Sequence, residues 1–243
     1  MNGKSIQSLS ALVLAICLSP ALQAQPLFSV KTGATTLNGG VDGAYQEGAA
    51  VLGSASSWWN DYAYVSTTPS GVSVVDDSGT SIAGVTLTIA NSTGTGSKAT
   101  AGTNLGFLFG SQPYQNAGGI FTISITGLSA DTEYEFIGYA ARTSSTAGAS
   151  WAVTTGTLDS GTTSNDGSSM DITTGVGKSY SLLYATTDGS GNLTVTDSGN
   201  PGTSITVLAG FQIEAAVVPE PSAIALTVVG FGLLAGKLLR RQR

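Results

Sequence analysis

The sequence predicts an all-β fold, an antiparallel β-sandwich of the jelly-roll kind, set between two end segments of a different character. Three observations predict it. Short runs of β-branched and aromatic residues recur through residues 25–216, with apolar members mostly on every second position. Segments rich in Gly, Ser, Thr and Asn separate the runs. Between the two ends, no stretch keeps a helical period. A strand with one apolar face needs a second layer to cover it, and a second sheet supplies that layer.

Taken from the start of the chain, residues 1–24 have the form of a secretory signal. Lys4 precedes the apolar run LSALVLAICLSPALQA, which closes on small residues, so cleavage is expected after Ala24, with Ala21 as the second choice. Ile16 stands before Cys17, where a lipidated signal needs a small residue, so the lipoprotein reading is rejected. Removing this segment removes the only cysteine. The exported domain must then hold together through its core, without disulfides.

Next come the predicted strands. SSWWNDYAYVS places four aromatic residues in a strand-like run, followed by VTLTIAN (Val85–Asn91). Residues 91–104 are expected to form a long loop, and LGFLFG (Leu105–Gly110) either a short turn or a strand. IFTISITGL (Ile120–Leu128) and TEYEFIGYAAR (Thr132–Arg142) alternate clearly. A second long surface loop is expected over Gly156–Met170. SYSLLYAT, NLTVTD and SITVLAGFQIEA complete about ten predicted strands. No exact repeat appears, which argues against propellers and solenoids, and no linker divides residues 25–216.

Charge narrows the function. The central region holds four basic and fourteen acidic residues, a net charge of −10. Nucleic acid is thereby excluded as a partner, because clustered cations must replace the phosphate counterions. The chain has no histidine, which excludes serine–histidine and cysteine–histidine catalysis and the usual zinc sites.

Three clusters are candidate sites. Trp58, Trp59, Asn60 and Tyr62, with Asp61 and Tyr64 beside them, have the residue types of a carbohydrate platform: flat rings for sugar C–H faces, polar groups for hydroxyls. Core packing is the favoured reading there, and Trp151 is assigned to the core. Asp131, Glu133 and Glu135 alternate along one strand, so they are expected to share a face at about 6.6 Å per pair. Such spacing suits glycoside hydrolysis, although a solvent-facing row is the favoured reading. Asp188, Ser190 and Asn192 have the alternate spacing that begins many calcium loops but lack the later bidentate acid, so a turn is favoured there. Arg142 is expected to pair with a carboxylate. Asn91-Ser92-Thr93 and Asn192-Leu193-Thr194 match the glycosylation pattern.

Residues 217–243 form the other end segment. Pro219-Glu220-Pro221 cannot continue a strand. The apolar run Ala223–Leu239 would span about 25 Å as a helix, close to a hydrocarbon core of about 30 Å, with Lys237 snorkelling to the interface. Arg240, Arg241 and Arg243 would remain cytoplasmic. This order of Pro-Glu-Pro, apolar span and arginine cluster resembles the PEP-CTERM sorting signal of bacterial exported proteins. The resemblance implies recognition by a membrane-embedded exosortase and release or transfer at the cell surface. It also implies an association with exopolysaccharide and biofilm matrix in Gram-negative-type bacteria. The segments around Trp59-Asn60, Asp77–Ile89, Phe121–Arg142 and Leu208–Glu214 are similar to exported bacterial β-sandwich modules, some likened to galactose-binding-like folds.

The expectation is therefore an exported, non-enzymatic β-sandwich of the cell surface or matrix, held to the membrane at least transiently by its tail, that binds or structures exopolysaccharide. The alternatives are a polysaccharide hydrolase or lyase using strand carboxylates, and a purely structural matrix protein. No cofactor is expected apart from the calcium reading.

Overall fold

The computed structural model describes residues 28–33, 45–48, 51–53, 57–63, 70–90, 94–97, 108, 111–116, 118–141, 147–169, 174–201 and 205–216. The predicted signal, Arg142, the Pro-Glu-Pro motif, the span Ala223–Leu239 and the arginine cluster lie outside these residues. Among the described residues, no helix is long and apolar enough to cross a membrane.

The described chain is all-β, in three sheets. Seven strands form the first: β1 (Phe28–Gly33), β2 (Tyr45–Gly48), β3 (Ser57–Ala63), β9 (Glu133–Tyr139), β11 (Thr157–Thr162), β13 (Tyr180–Thr186) and β16 (Gly210–Ala215). Their order across the sheet is β11-β13-β9-β16-β1-β3-β2. Six form the second: β4 (Val72–Val75), β5 (Ser81–Ala90), β8 (Phe121–Thr126), β10 (Ala149–Thr155), β12 (Ser164–Asn165) and β14 (Leu193–Asp197), in the order β12-β10-β14-β8-β5-β4. A smaller sheet joins β15 (Ile205–Val207), β7 (Ser111–Asn116) and β6 (Gly94–Ser97).

Period-two patterning decides which side chains meet. Val85, Leu87 and Ile89 of β5, Phe121, Ile123 and Ile125 of β8, and Leu193 and Val195 of β14 are buried on one face of the six-stranded sheet. They share one hydrophobic cluster with Phe28, Val30, Tyr134, Phe136, Leu183, Phe211 and Ile213 of the seven-stranded sheet. Two apolar faces closed on one core make a β-sandwich. The rings of Phe136 and Trp151 cross this core with centroids 5.7 Å apart, so Trp151 is the core residue its setting predicts. Gly138 lies under the indole: a Cβ there would fall 2.4 Å from Trp151 Cζ2, so only glycine fits.

Four features depart from the sequence expectations. The sheets are not wholly antiparallel, because β1 pairs parallel with β3. Strand β2, between them in the chain, lies at the sheet edge and pairs antiparallel with β3, so β3 runs in the direction of β1. The single run SITVLAGFQIEA divides: β15 pairs with β7, and β16 enters the seven-stranded sheet. The link Leu208-Ala209 is buried, and Thr32 N and Ala209 N bond across it to Ala209 O and Tyr139 O. Residues 156–170, expected as a loop, supply β11 and β12. Strand β11 forms the exposed border of its sheet, so it has no apolar face to mark it. Finally, β6 occupies part of the other expected loop, residues 91–104.

Candidate functional site

On the face of the seven-stranded sheet turned away from the sandwich core, the side chains fall into two halves. In β9, Glu133, Glu135, Ile137 and Tyr139 share this outer face by parity. Register puts Glu135 opposite Tyr184 of β13 and opposite Glu214 of β16, while Ile137 meets Leu182 and Gln212.

The Ile137 half is covered. Trp59, Ile137, Tyr139, Tyr180, Leu108, Ala141 and Ala209 form a second apolar cluster, against which Val51, Leu52 and Leu182 pack. Ring centroids run Trp59 to Tyr139 at 6.0 Å and Tyr139 to Tyr180 at 5.9 Å. Gln212, fully buried, holds residues 51 and 52 across the sheet like a length of missing strand. Its Oε1 accepts from Val51 N at 3.0 Å, Leu52 N at 3.1 Å and the Tyr139 hydroxyl at 2.5 Å. Its Nε2 donates to Leu52 O at 3.0 Å and Ser29 Oγ at 2.9 Å. Burial pushes the Tyr139 hydroxyl far above the ordinary tyrosine range. Next to this cluster, Lys31 is buried on β1 with its Nζ 3.7 Å from Asp61 Oδ2. Burial raises the Asp61 carboxyl, and Lys31 works against that rise.

The other half is open. Glu133, Glu135, Tyr184 and Glu214 are all partly exposed, and paired positions on adjacent strands stand about 5 Å apart at Cβ. Burial is the main force raising the Glu135 carboxyl, and a hydrogen bond from the Tyr184 hydroxyl opposes it. Glu214 is raised by burial first, then by repulsion from Glu135 and Asp77. The Tyr184 hydroxyl is raised chiefly by the charge of Glu135. One phenol and three carboxylates thus share a small surface, and the charge of Glu135 raises both Tyr184 and Glu214. Chemically, the phenol offers a face for sugar C–H groups and the carboxylates accept from hydroxyls. Two mutually repelling acids at this spacing also have the arrangement that separates an acid from a base.

The predicted platform around the paired tryptophans does not form. Trp59 has no exposed surface and belongs to the covered half. Tyr62 is buried in the sandwich core, where its hydroxyl accepts from Ile89 N at 3.2 Å. Asn60 ties the two sheets together: its Nδ2 donates to Ser29 O and Val75 O, and its Oδ1 accepts from Val75 N. Trp58 is partly exposed and packs on the turn at Gly79. Adjacent residues in a strand face opposite sides: Trp59 turns into the covered half of the outer face, while Tyr62 turns into the sandwich core.

The predicted carboxylate row is also altered. Strand β9 begins at Glu133, and Asp131 sits outside it in a turn, with φ of 49° and its N–H bonded to Asp188 O at 3.3 Å. Glu133 and Glu135 remain in line, while Glu214 and Tyr184 join from strands that a single sequence could not place beside them.

At the calcium candidate, Asp188 Oδ1 accepts from Ser190 N and Asn192 N, and its Oδ2 accepts from Asn192 Nδ2. Those bonds, led by Asn192, hold the carboxyl below its usual range. They are the bonds of an Asx turn, the favoured reading of the segment. Among the described residues, no three His, Cys, Asp or Glu side chains are grouped to hold a metal.

Comparison of the chain with protein-family models, with curated proteins and with solved structures finds no match.

Proposed function

We propose that this chain is an exported β-sandwich of the jelly-roll kind, sorted through its C-terminal tail by an exosortase, that binds exopolysaccharide at the cell surface or in the matrix. Support for the sorting step is the tail sequence: Pro219-Glu220-Pro221, the span Ala223–Leu239 and Arg240, Arg241 and Arg243. Support for the binding step is one juxtaposition, Tyr184 beside Glu135 and Glu214 on the open half of the outer face. The role is non-enzymatic: the sugar polymer lies along the sheet, its C–H faces on the phenol and its hydroxyls donating to carboxylates.

A second reading, a polysaccharide hydrolase or lyase, is favoured by one observation. Glu135 and Glu214 are register partners, and both are raised above the usual carboxylate range. One of them would hold a proton as acid while the other acts as base or nucleophile.

Affinity electrophoresis through gels containing the cell's own exopolysaccharide separates the outcomes. The protein is expected to be retarded, and Tyr184→Ala to migrate as in a plain gel. Unretarded migration of the parent protein refutes sugar binding. Release of reducing ends by the parent, lost in Glu135→Gln, would favour the enzymatic reading instead. For sorting, the intact mass of protein recovered from cells should end near Pro219–Pro221; a full-length tail points to simple anchoring.

A further inference from the structure

Asp197 closes β14 with its side chain turned into the sandwich, and it is fully buried. Across β10 its register partner is Trp151, and across β8 it is Phe121. The Oδ1 atom accepts from Gly199 N at 2.8 Å and from Ser150 N at 3.3 Å. These two bonds clasp the turn after β14 to the start of β10. The other oxygen, Oδ2, is buried with no donor, and the buried indole Nε1 of Trp151 has no acceptor. An orphan acceptor and an orphan donor therefore occupy directly paired positions on adjacent strands. Leaving either buried and unbonded forfeits its hydration without a replacement bond, so the arrangement asks for a reason.

We propose that Asp197 and Trp151 form a proton-operated switch in the core, in which loss of the Asp197 proton loosens the junction of β10 and β14. With the acid protonated, the indole stays packed over Gly138 and Phe136, and the carboxyl clasps the turn. Ionisation places a charge on Oδ2 that the surrounding core does not solvate. Two responses are open to it: the Trp151 N–H turns towards Oδ2, or water enters between the strands. Either one unseats the ring from Gly138.

Among the described residues, nothing charged faces this carboxyl. Strand β8 presents Phe121, β10 presents Trp151, β14 contributes Val195 on the same face, and β9 presents Phe136 and Gly138 beneath the indole. On the neighbouring 165–178 segment, Asp166 and Lys178 are exposed and bonded to each other at 2.6 Å. Burial accordingly pushes the Asp197 carboxyl up to about 7, with the two backbone N–H bonds opposing the rise. The folded chain thus keeps a proton that the unfolded chain releases near 3.8. This contribution to stability is fully present below that value and is lost as pH rises towards about 7. Within the window, the ratio of folded to unfolded chain falls about tenfold per pH unit.

The test follows the indole N–H cross-peak of Trp151 in the ¹⁵N-labelled protein from pH 4 to 9, assigned with Trp151→Phe, alongside thermal unfolding over the same range. The Trp151 signal is expected to titrate with one midpoint near neutrality, and Asp197→Asn to abolish that titration and flatten the matching fall in Tm. If Asp197→Asn does not fold, the Asp197 side-chain ¹³C shift of the parent protein supplies the midpoint directly. A carboxyl that titrates in the ordinary aspartate range, or an indole signal unchanged across the series, overturns the proposal.

Discussion

One strand, β9, runs through both halves of the outer face, and its two ends have opposite fates. Glu133 and Glu135 lie in the open half, both partly exposed, and burial raises the Glu135 carboxyl. Ile137 and Tyr139, two and four residues beyond Glu135, are buried beneath residues 51 and 52. The backbone geometry is the same at both ends, so the difference lies in what the neighbouring chain contributes. Where Gln212 supplies an amide to hold a covering segment, the sheet face becomes a second small core. Beside Glu214 on the same strand β16, the face stays open to solvent and ligands. On this one face, the polar residue of the adjoining strand differs between the halves: Gln212 bonds a covering segment, and Glu214 stays partly exposed.

Removing the centre of the covered half should break this contrast most strongly. Trp59→Ala empties a fully buried site between Tyr139 and the covering segment, and should destabilise the fold by about 3–5 kcal/mol in urea unfolding. Tyr184→Ala, at the same depth in the sheet but in the open half, should cost less than about 1 kcal/mol. Equal losses from the two substitutions would mean that the halves do not differ in their energetic role.

Gln212→Ala asks whether the cover depends on its amide. The substitution leaves Val51 N, Leu52 N and Leu52 O without their buried partner and removes the acceptor of the Tyr139 hydroxyl. A loss of about 2–4 kcal/mol is expected from these unsatisfied groups. Amide hydrogen exchange at residues 51 and 52 should quicken well beyond the global change in stability. Protection that survives there would show that Val51 and Leu52 are held by apolar packing alone.

The legibility of the sequence follows the same division. Strands with one apolar face, such as Phe121–Thr126 and Leu193–Asp197, announce themselves by alternation, and the structure builds them within a residue or two of the predicted bounds. Trp151 was legible as core from its small neighbours Ser150 and Ala152, although strand β10 around it was not. Strands covered on both faces or on neither carry no such signal: SWWNDYA leaves core packing and a partly exposed platform both open, and TLDSGT reads as a loop. Only half of the candidate site was visible. Glu133 and Glu135 could be placed by parity within one strand, but Glu214 and Tyr184 lie on other strands, 79 and 49 residues beyond Glu135. Their placement on either side of Glu135 is set by sheet order, which local patterning does not encode. The buried partnership of Asp197 with Trp151 was hidden in the same way, since the pairing of β10 with β14 is long-range.

The smallest effect should come from the open half, where Glu214→Gln removes one of two facing charges. Glu135 and Glu214 both hold protons more tightly in the folded chain than the usual value of 4.5 allows. The sign is therefore fixed: what they contribute to stability declines as pH rises from below 4.5 into the range where both ionise. Neutralising Glu214 relieves the mutual repulsion at pH 8, so the variant should be at least as stable as the parent, with a gain below about 0.5 kcal/mol because solvent screens both groups. The Glu135 side-chain carbon should also titrate at lower pH than in the parent. In the gel, a loss of retardation without a loss of stability would assign Glu214 to the ligand. A loss of both would give it a structural part like that of Gln212 in the covered half.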